Sequence, residues 1–444
     1  MRKDHKINTL EAFALSLAAM APTGSMAGNT GPGAKFAGVN LPLAFFVAAI
    51  AMLLVAAGFY EMSKRVAEDG SIYAYNRISL GEHWGFISSW IMILGYLTFS
   101  IAMAALTGNY ATIILHNLGV GISPVMLGFG VLLITWLTLD HGIRITSNFS
   151  LGSESLALLI LFILCLIILK RGGGNGVNLK PLIPTTSLSG IGHGVVYTVL
   201  CFVGFEVACT VATRTEKPKR SVPIALLATL LGGAVIFIFV SYCVVIGFGT
   251  NHVSALANSA APLNTLAMRF MNSGMATLID FAIFLSAFGA TIGMTNAAAY
   301  VLYALGEKGY LSKSLGKFDY RHNAPRHAVD LINVISIVLY LIGALSGGVN
   351  ATYLDYITLG AICMLVIYVL SCVGTLVFFK NDHQHYSFLK HQLAPILGIL
   401  VLILPLASNL YPIPAFPIST FPYVILVWGV IGYGISWWHT RKIK

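Results

Sequence analysis

The chain has 444 residues, 57% of them hydrophobic and 9% charged, and its mean hydropathy is +0.83. Soluble domains carry roughly 25% charged residues, so this composition excludes a soluble globular protein and reads as an all-α polytopic membrane protein. The formal charge of +10 does not indicate a nucleic-acid partner, because the basic residues stand in short clusters between apolar runs without interleaved aromatics.

The N-terminus, MRKDHKINTLEAF, starts basic but no clean signal-peptide cleavage site follows, so it is expected to be retained. Next comes Leu10 to Gly33, LEAFALSLAAMAPTGSMAGNTGPG, long and apolar enough to cross a bilayer. Its middle, Ala21-Pro22-Thr23-Gly24-Ser25, is a poor place for continuous helix, since Pro22 lacks a donor and Gly24 is permissive. Backbone groups freed in hydrocarbon each cost several kcal/mol, so a break there requires protein, a cavity or a ligand to satisfy them. A second break is expected near Phe202-Val203-Gly204-Phe205-Glu206.

Apolar runs of about 20 residues predict twelve spans, at 9–33, 41–63, 84–115, 123–140, 146–169, 190–213, 222–248, 274–305, 328–346, 351–379, 392–409 and 419–438. An even number puts both termini on one side. With that side cytoplasmic, twenty-one of the 26 Lys and Arg residues, Arg2, Lys3 and Arg321 among them, fall in inner segments. Only Lys35, Lys170, Arg171, Lys180 and Arg269 fall outside. This positive-inside bias predicts a multi-pass protein of the inner or plasma membrane with cytoplasmic termini.

The inner loops Lys64 to His83 and Gly306 to His327 are polar and basic, suited to amphipathic segments at the membrane surface. The outer loop Arg171 to Ser189 is Gly-rich and expected to be irregular, while Gly249 to Asn272 has room for a short interfacial helix. All six cysteines lie in apolar runs, and no CxxC or Cys/His metal spacing occurs, so neither a disulfide framework nor a metal is expected. No cofactor motif appears. No catalytic triad, HExxH or phosphate loop is present either, which argues against an enzyme.

Three motifs in order resemble the amino acid–polyamine–organocation transporter superfamily. Gly204-Phe205-Glu206, then Arg214 and Pro218-Lys219-Arg220-Ser221-Val222-Pro223, is similar to that family's Gly-Phe-acid break and basic turn. Glu61 followed by Ala67-Glu68-Asp69-Gly70-Ser71-Ile72-Tyr73-Ala74-Tyr75 resembles its signature after helix 2, and Val301 to Gly309 its helix 8 end. The resemblance implies a LeuT-type fold. In it, helices 1–5 and 6–10 form inverted repeats, here about 9–169 and 190–379 of one transport domain spanning 1–444. Helices 1 and 6 are broken, and two peripheral helices occupy about 392–438. It also implies that Thr23, Gly24, Ser25, Met26 and Ala27 take the helix 1 binding role, with Met26 where the family has glycine. Thr213-Arg214 stands where relatives carry an acidic pair, and Tyr300 where they carry a helix 8 arginine. Proton-coupled relatives often have a helix 5 lysine, whereas Glu154 is the only charged residue between Ser147 and Leu169 and no lysine occurs there.

The helix 1 break presents N–H groups at a half-helix N-terminus, a partner for a carboxylate; the plain alternative is a packing kink. Phe202, Val203, Gly204, Phe205 and Glu206 form the facing half, with Phe202 and Phe205 either capping a substrate or only packing. Glu206, mid-span, either binds a substrate ammonium or satisfies unwound backbone. Glu154, Arg214 and Tyr300 are candidates for coupling or gating. Asp280, Asp355 and His193 read as charges or polar ends near the outer boundary. Ser286, Thr291, Thr295 and Asn296 offer oxygens that either hold a Na⁺ between helices 1 and 8 or act as interhelical glue. The function expected is a permease for an amino acid or related amine working by alternating access, proton-coupled or exchanging; a membrane sensor with a retained pocket is the alternative.

Overall fold

The structure is a computed structural model describing the chain outside residues 1–5, 69–71, 140–142, 321, 323, 381–385, 412, 414 and 444, with the backbone alone at 143–147, 150, 408, 442 and 443. Asp69, Gly70 and Ser71 of the second motif therefore lie outside the described residues. So do Arg2, Lys3, Arg321 and Lys444 of the orientation argument, and the side chains of Arg144 and Lys442.

Among the described residues the chain is helical, and its β pairing is limited to two isolated bridges, Ile7 with Thr215 and Asp319 with Ala324. In order come α1 (Thr9–Met20), α2 (Pro22–Ala37), α3 (Leu41–Ser63), α4 (Ile72–Leu80), α5 (Glu82–Asn117), α6 (Pro124–Leu139), α7 (Ile143–Lys170) and α8 (Leu188–Leu200). A 3₁₀ segment, Val207–Arg214, precedes α9 (Pro218–Phe248), α10 (Val253–Ala257), α11 (Pro262–Phe270), α12 (Ser273–Glu307), α13 (Arg326–Lys380), α14 (Ala394–Ser408) and α15 (Phe421–Ile443).

Eight helical stretches of the described residues are long and apolar enough to cross a membrane, and Pro124–Leu139 and Leu188–Leu200 are shorter apolar helices. Two of the eight, Thr9–Ser63 and Arg326–Lys380, run 55 residues each. At 1.5 Å per residue such a stretch would measure about 80 Å, far beyond a hydrocarbon core of about 30 Å. Both are interrupted: the first at Ala21 and at Gly38 (φ 58°), the second at Gly348 (φ 81°). Glycine suits the latter two because only a residue without Cβ enters these regions at no steric cost.

α5 is the central post. Its most apolar window is fully buried, and it packs against α12, α13, α4 and α6. The comparable window of α15 is only 17% buried, and Val235, Leu345 and Leu426 point outward with more than half their surface exposed. An apolar exterior around a core that also holds polar side chains is what lipid as solvent dictates.

In the segment Gly306 to His327 the described residues between Lys308 and Pro325 form turns. Gly306 and Gly316 lie backbone to backbone, so close that a Cβ on either would fall within 2.5 Å of the other, and the chain folds back on itself. The loop Lys64 to His83 contains the helix α4. The loops at 171–189 and 249–272 carry 3₁₀ Lys180–Leu182 and the two short helices α10 and α11.

Candidate functional site

The first break is a single residue. Ala21 adopts φ 44°, ψ 64°, and helix resumes at Pro22, so residues 22–27 are helical and the expected five-residue interruption is corrected to one. The reason is positional: proline is best tolerated at the first position of a helix, where its missing N–H would be unpaired anyway. Around this joint the freed groups are satisfied. The Ala21 N–H donates back to the Ala18 and Leu17 carbonyls, and the Ser25 hydroxyl donates to the Met20 carbonyl at 2.7 Å. Gly24 N–H donates to Ser286 Oγ at 3.1 Å, while Thr23 presents its N–H and hydroxyl to Glu154 Oε1 at 3.5 Å each.

The second break follows α8. Residues 201–206 wind as successive turns around Gly204 (φ 106°), and the 3₁₀ segment begins at Val207. Glu206 is fully buried and both its oxygens are taken: Tyr96 OH donates to Oε1 and Tyr368 OH to Oε2, each at 2.8 Å, and Gly204 N–H reaches Oε2 at 3.3 Å. The ammonium-binding role expected of Glu206 therefore meets a carboxylate already engaged by two phenols. Phe202 lies edge-on to Phe237, and Phe205 packs against Phe59 and Tyr368, all inside the core. All ten candidate residues, 23–27 and 202–206, are buried, so the structure is closed over the breaks.

The two breaks touch. A Cβ on Gly204 would lie 2.9 Å from the Ala19 carbonyl carbon and 3.0 Å from Met20 N, and Ser16 Oγ of α1 accepts the Ala208 N–H at 2.8 Å. Comparison with known proteins adds the family. The family model described as amino acid permease matches residues 11–444. This chain belongs to the amino acid permease family.

Its relatives are permeases, not enzymes. The permease is 26% identical over 355 residues to the branched-chain amino acid permease BcaP of Lactococcus lactis subsp. cremoris, covering 74% of this chain and 75% of that one. It is 25% identical over 349 residues to the putrescine transporter PotE of Escherichia coli K12, covering 76% of each. To the human cationic amino acid transporter 4 it is 26% identical over 352 residues, 75% of this chain and 54% of that protein. The molecule is thus a multi-pass membrane transporter.

Other candidates in the permease lie apart from the breaks. The Arg214 guanidinium stacks 3.6 Å over the Phe318 ring. Tyr300 is buried edge-on to Tyr303, about 21 Å along α12 from Ser286 at the usual helical rise. Asp280 is buried and accepts from Asn264 of α11 at 2.7 Å, and Asp355 is half-buried. His193 bonds the Ser189 carbonyl at 2.7 Å on an exposed face.

Of the oxygens offered for a cation, Ser286 is the one that reaches α2. Thr295 bonds Ser100 of α5 at 2.6 Å, whereas Thr291 directs its hydroxyl to the Ala287 carbonyl of its own helix at 2.9 Å, so Ser286 and Thr295 are the members of this row whose bonds cross between helices. Tyr96, Tyr368 and Ser16 went unread in the sequence, although a tyrosine in the middle of an apolar span is itself a sign that its hydroxyl has a partner.

Proposed function

We propose that this permease carries an amino acid or related amine by alternating access, with the ligand seated where the α1–α2 joint faces residues 201–206. The observation that carries the reading is the contact of two satisfied helix breaks, Ala21 and Gly204, at the level of Ala19. Backbone donors at the start of α2 take the substrate carboxylate, and carbonyls near residues 201–205 take the amine. Glu206 fixes the second break through its two tyrosines.

The wider reading is a LeuT-type arrangement of twelve spans. Repeats about 9–169 and 190–379 are related by inversion, α14 and α15 stand at the periphery, and both termini face the cytoplasm of an inner or plasma membrane. The two interrupted 55-residue stretches support the higher span count, and the clustering of basic residues supports the orientation. Movement of the ligand is coupled to protons or to exchange against a second amine.

Uptake by proteoliposomes tests this. Purified protein preloaded with unlabelled leucine, ornithine or putrescine should accelerate entry of the labelled compound, and a pH gradient at fixed sodium should change the rate. Binding without flux would make the protein a sensor instead, and flux without acceleration by internal ligand a channel.

A further inference from the structure

Glu154 of α7 is 1% exposed, and its carboxylate sits at the N-terminal turn of α2. That turn has few donors to give. Pro22 has none, and the Ser25 N–H is already bonded to the Ala21 carbonyl at 2.7 Å. The Thr23 and Gly24 N–H groups remain, and they are held by Glu154 Oε1 and Ser286 Oγ. The Glu154 contacts are long, 3.5 Å, and among the described residues its buried Oε2 has no hydrogen-bond partner. A carboxylate held loosely by one oxygen and unpartnered at the other is poorly matched to its place, and a better-matched anion displaces it.

We infer that Glu154 is a built-in competitor for the substrate carboxylate: an amino acid seats on α2 only when Glu154 has taken up a proton, whereas an amine lacking a carboxylate leaves it undisturbed. The inference rests on the seating proposed above. Two carboxylates cannot both be ionised on one pair of donors in low dielectric, because like charges so close disfavour each other's charged form. No described cation relieves them. On the helices packed against α7 the charged groups are Glu11 on α1, Lys35 on α2, Asp280 and Glu307 on α12, Lys219 and Arg220 on α9, and Arg269 on α11. Tyr300 and Tyr303 of α12, and Tyr242 and Cys243 of α9, also titrate. The group bonded to Glu154 is the neutral Thr23, with the neutral Ser286 beside it.

The proposal makes the carboxyl group of the ligand, rather than its side chain, the source of proton coupling. Matched pairs expose this: ornithine with putrescine, and leucine with 3-methylbutylamine. Titration calorimetry of purified permease in buffers of different ionisation enthalpy, between pH 6 and 8.5, counts protons taken up per ligand bound. Each amino acid should take up close to one proton at the upper end, with affinity falling about tenfold per pH unit, and its matched amine close to none. In Glu154→Gln the amino acids should bind without that slope.

Because the proton count is made on the wild-type protein, it stands even if the variant does not fold. Equal uptake by both members of a pair, or a slope unchanged in Glu154→Gln, overturns the inference and leaves the proposed site intact. Binding by neither member at any pH overturns both.

Discussion

Ile7 and Thr215 lie side by side in a parallel bridge: the Ile7 N–H donates to the Arg214 carbonyl and the Glu216 N–H to the Ile7 carbonyl, both at 2.8 Å. Thr9 Oγ1 adds a bond to Ser221 Oγ at 2.9 Å, and Asn8 and Glu11 cap α1 reciprocally. The start of α1 and the start of α9 are thereby one unit, so the elements carrying the two breaks are joined at a second level, away from Gly204.

Ile7→Pro removes one donor of that bridge while the Arg214 carbonyl stays. A lost backbone bond with a stranded partner costs about 1–3 kcal/mol. The expected result is a lower melting temperature in detergent and slower counterflow, with Ile7→Val near wild type on both.

Gly204→Ala should be among the most damaging single changes. Its φ of 106° disfavours any Cβ, and the new methyl would stand 2.9 Å from the backbone of Ala19. Overpacking alone costs about 1–3 kcal/mol, and the left-handed backbone adds roughly 1–2. Gly232→Ala on α9, with no described atom within 4 Å of its Cβ, is the control, and it should leave stability equal or slightly higher. Thermal unfolding of the two variants side by side decides the matter.

Tyr96→Phe and Tyr368→Phe each strip one hydroxyl from Glu206 and leave a buried carboxylate oxygen short of a donor, at about 1–3 kcal/mol apiece. Glu206→Gln should be milder than Glu206→Ala, because the amide still bonds both phenols whereas alanine orphans them. Because the three residues share one network, the double Tyr→Phe variant should depart from the sum of the singles; a double-mutant cycle in urea or heat measures that departure.

Charges at the loop around α4 should matter little and in a salt-dependent way. Arg77 bridges Glu68 at 3.2 Å and Glu82 at 3.5 Å, and Lys308 at the end of α12 reaches Glu68 at 3.3 Å, all partly exposed. Such pairs are worth about 0.2–1 kcal/mol. Lys308→Gln should lower stability within that range at low salt and match wild type near 1 M salt, where screening reaches about 3 Å.

The same loop carries an alkaline limit. Burial pushes the Tyr73 phenol up to about 12, and Tyr310, bonded to Glu82, moves upward as well. A phenol with a raised value in the folded state stays protonated there after the unfolded chain has ionised. Its stabilising contribution is full below about pH 10 and is lost as pH rises towards 12. Melting curves should be flat in this respect between pH 7 and 9.5 and fall above, and Tyr73→Phe should fall less.

Much of this was legible in the sequence, for identifiable reasons. Pro22 and Gly204 announce breaks because backbone chemistry is local, and Glu206 announces a special environment because a carboxylate inside an apolar span has few tolerable surroundings. What completes each site is remote: Tyr96 and Tyr368 stand 110 and 162 residues from Glu206, and Glu154 stands 131 residues from Thr23. The rotation of α12 was equally invisible, because it is apolar all round and gives no stripe from which to tell that Thr295 faces α5 while Ser286 faces α2. The fold-back near Gly316 left no mark for a different reason, since composition shows that a loop is basic and polar but not the path its backbone takes.

The joint between α1 and α2 turns on an alanine where glycine would rest more easily. A left-handed backbone at a residue with a methyl group costs about 1–2 kcal/mol, so the bent joint carries strain at Ala21 that the packing around it must offset. Ala21→Gly would remove that strain and weight the bent joint by up to about thirtyfold on that energy, so the glycine variant should melt higher than the natural chain.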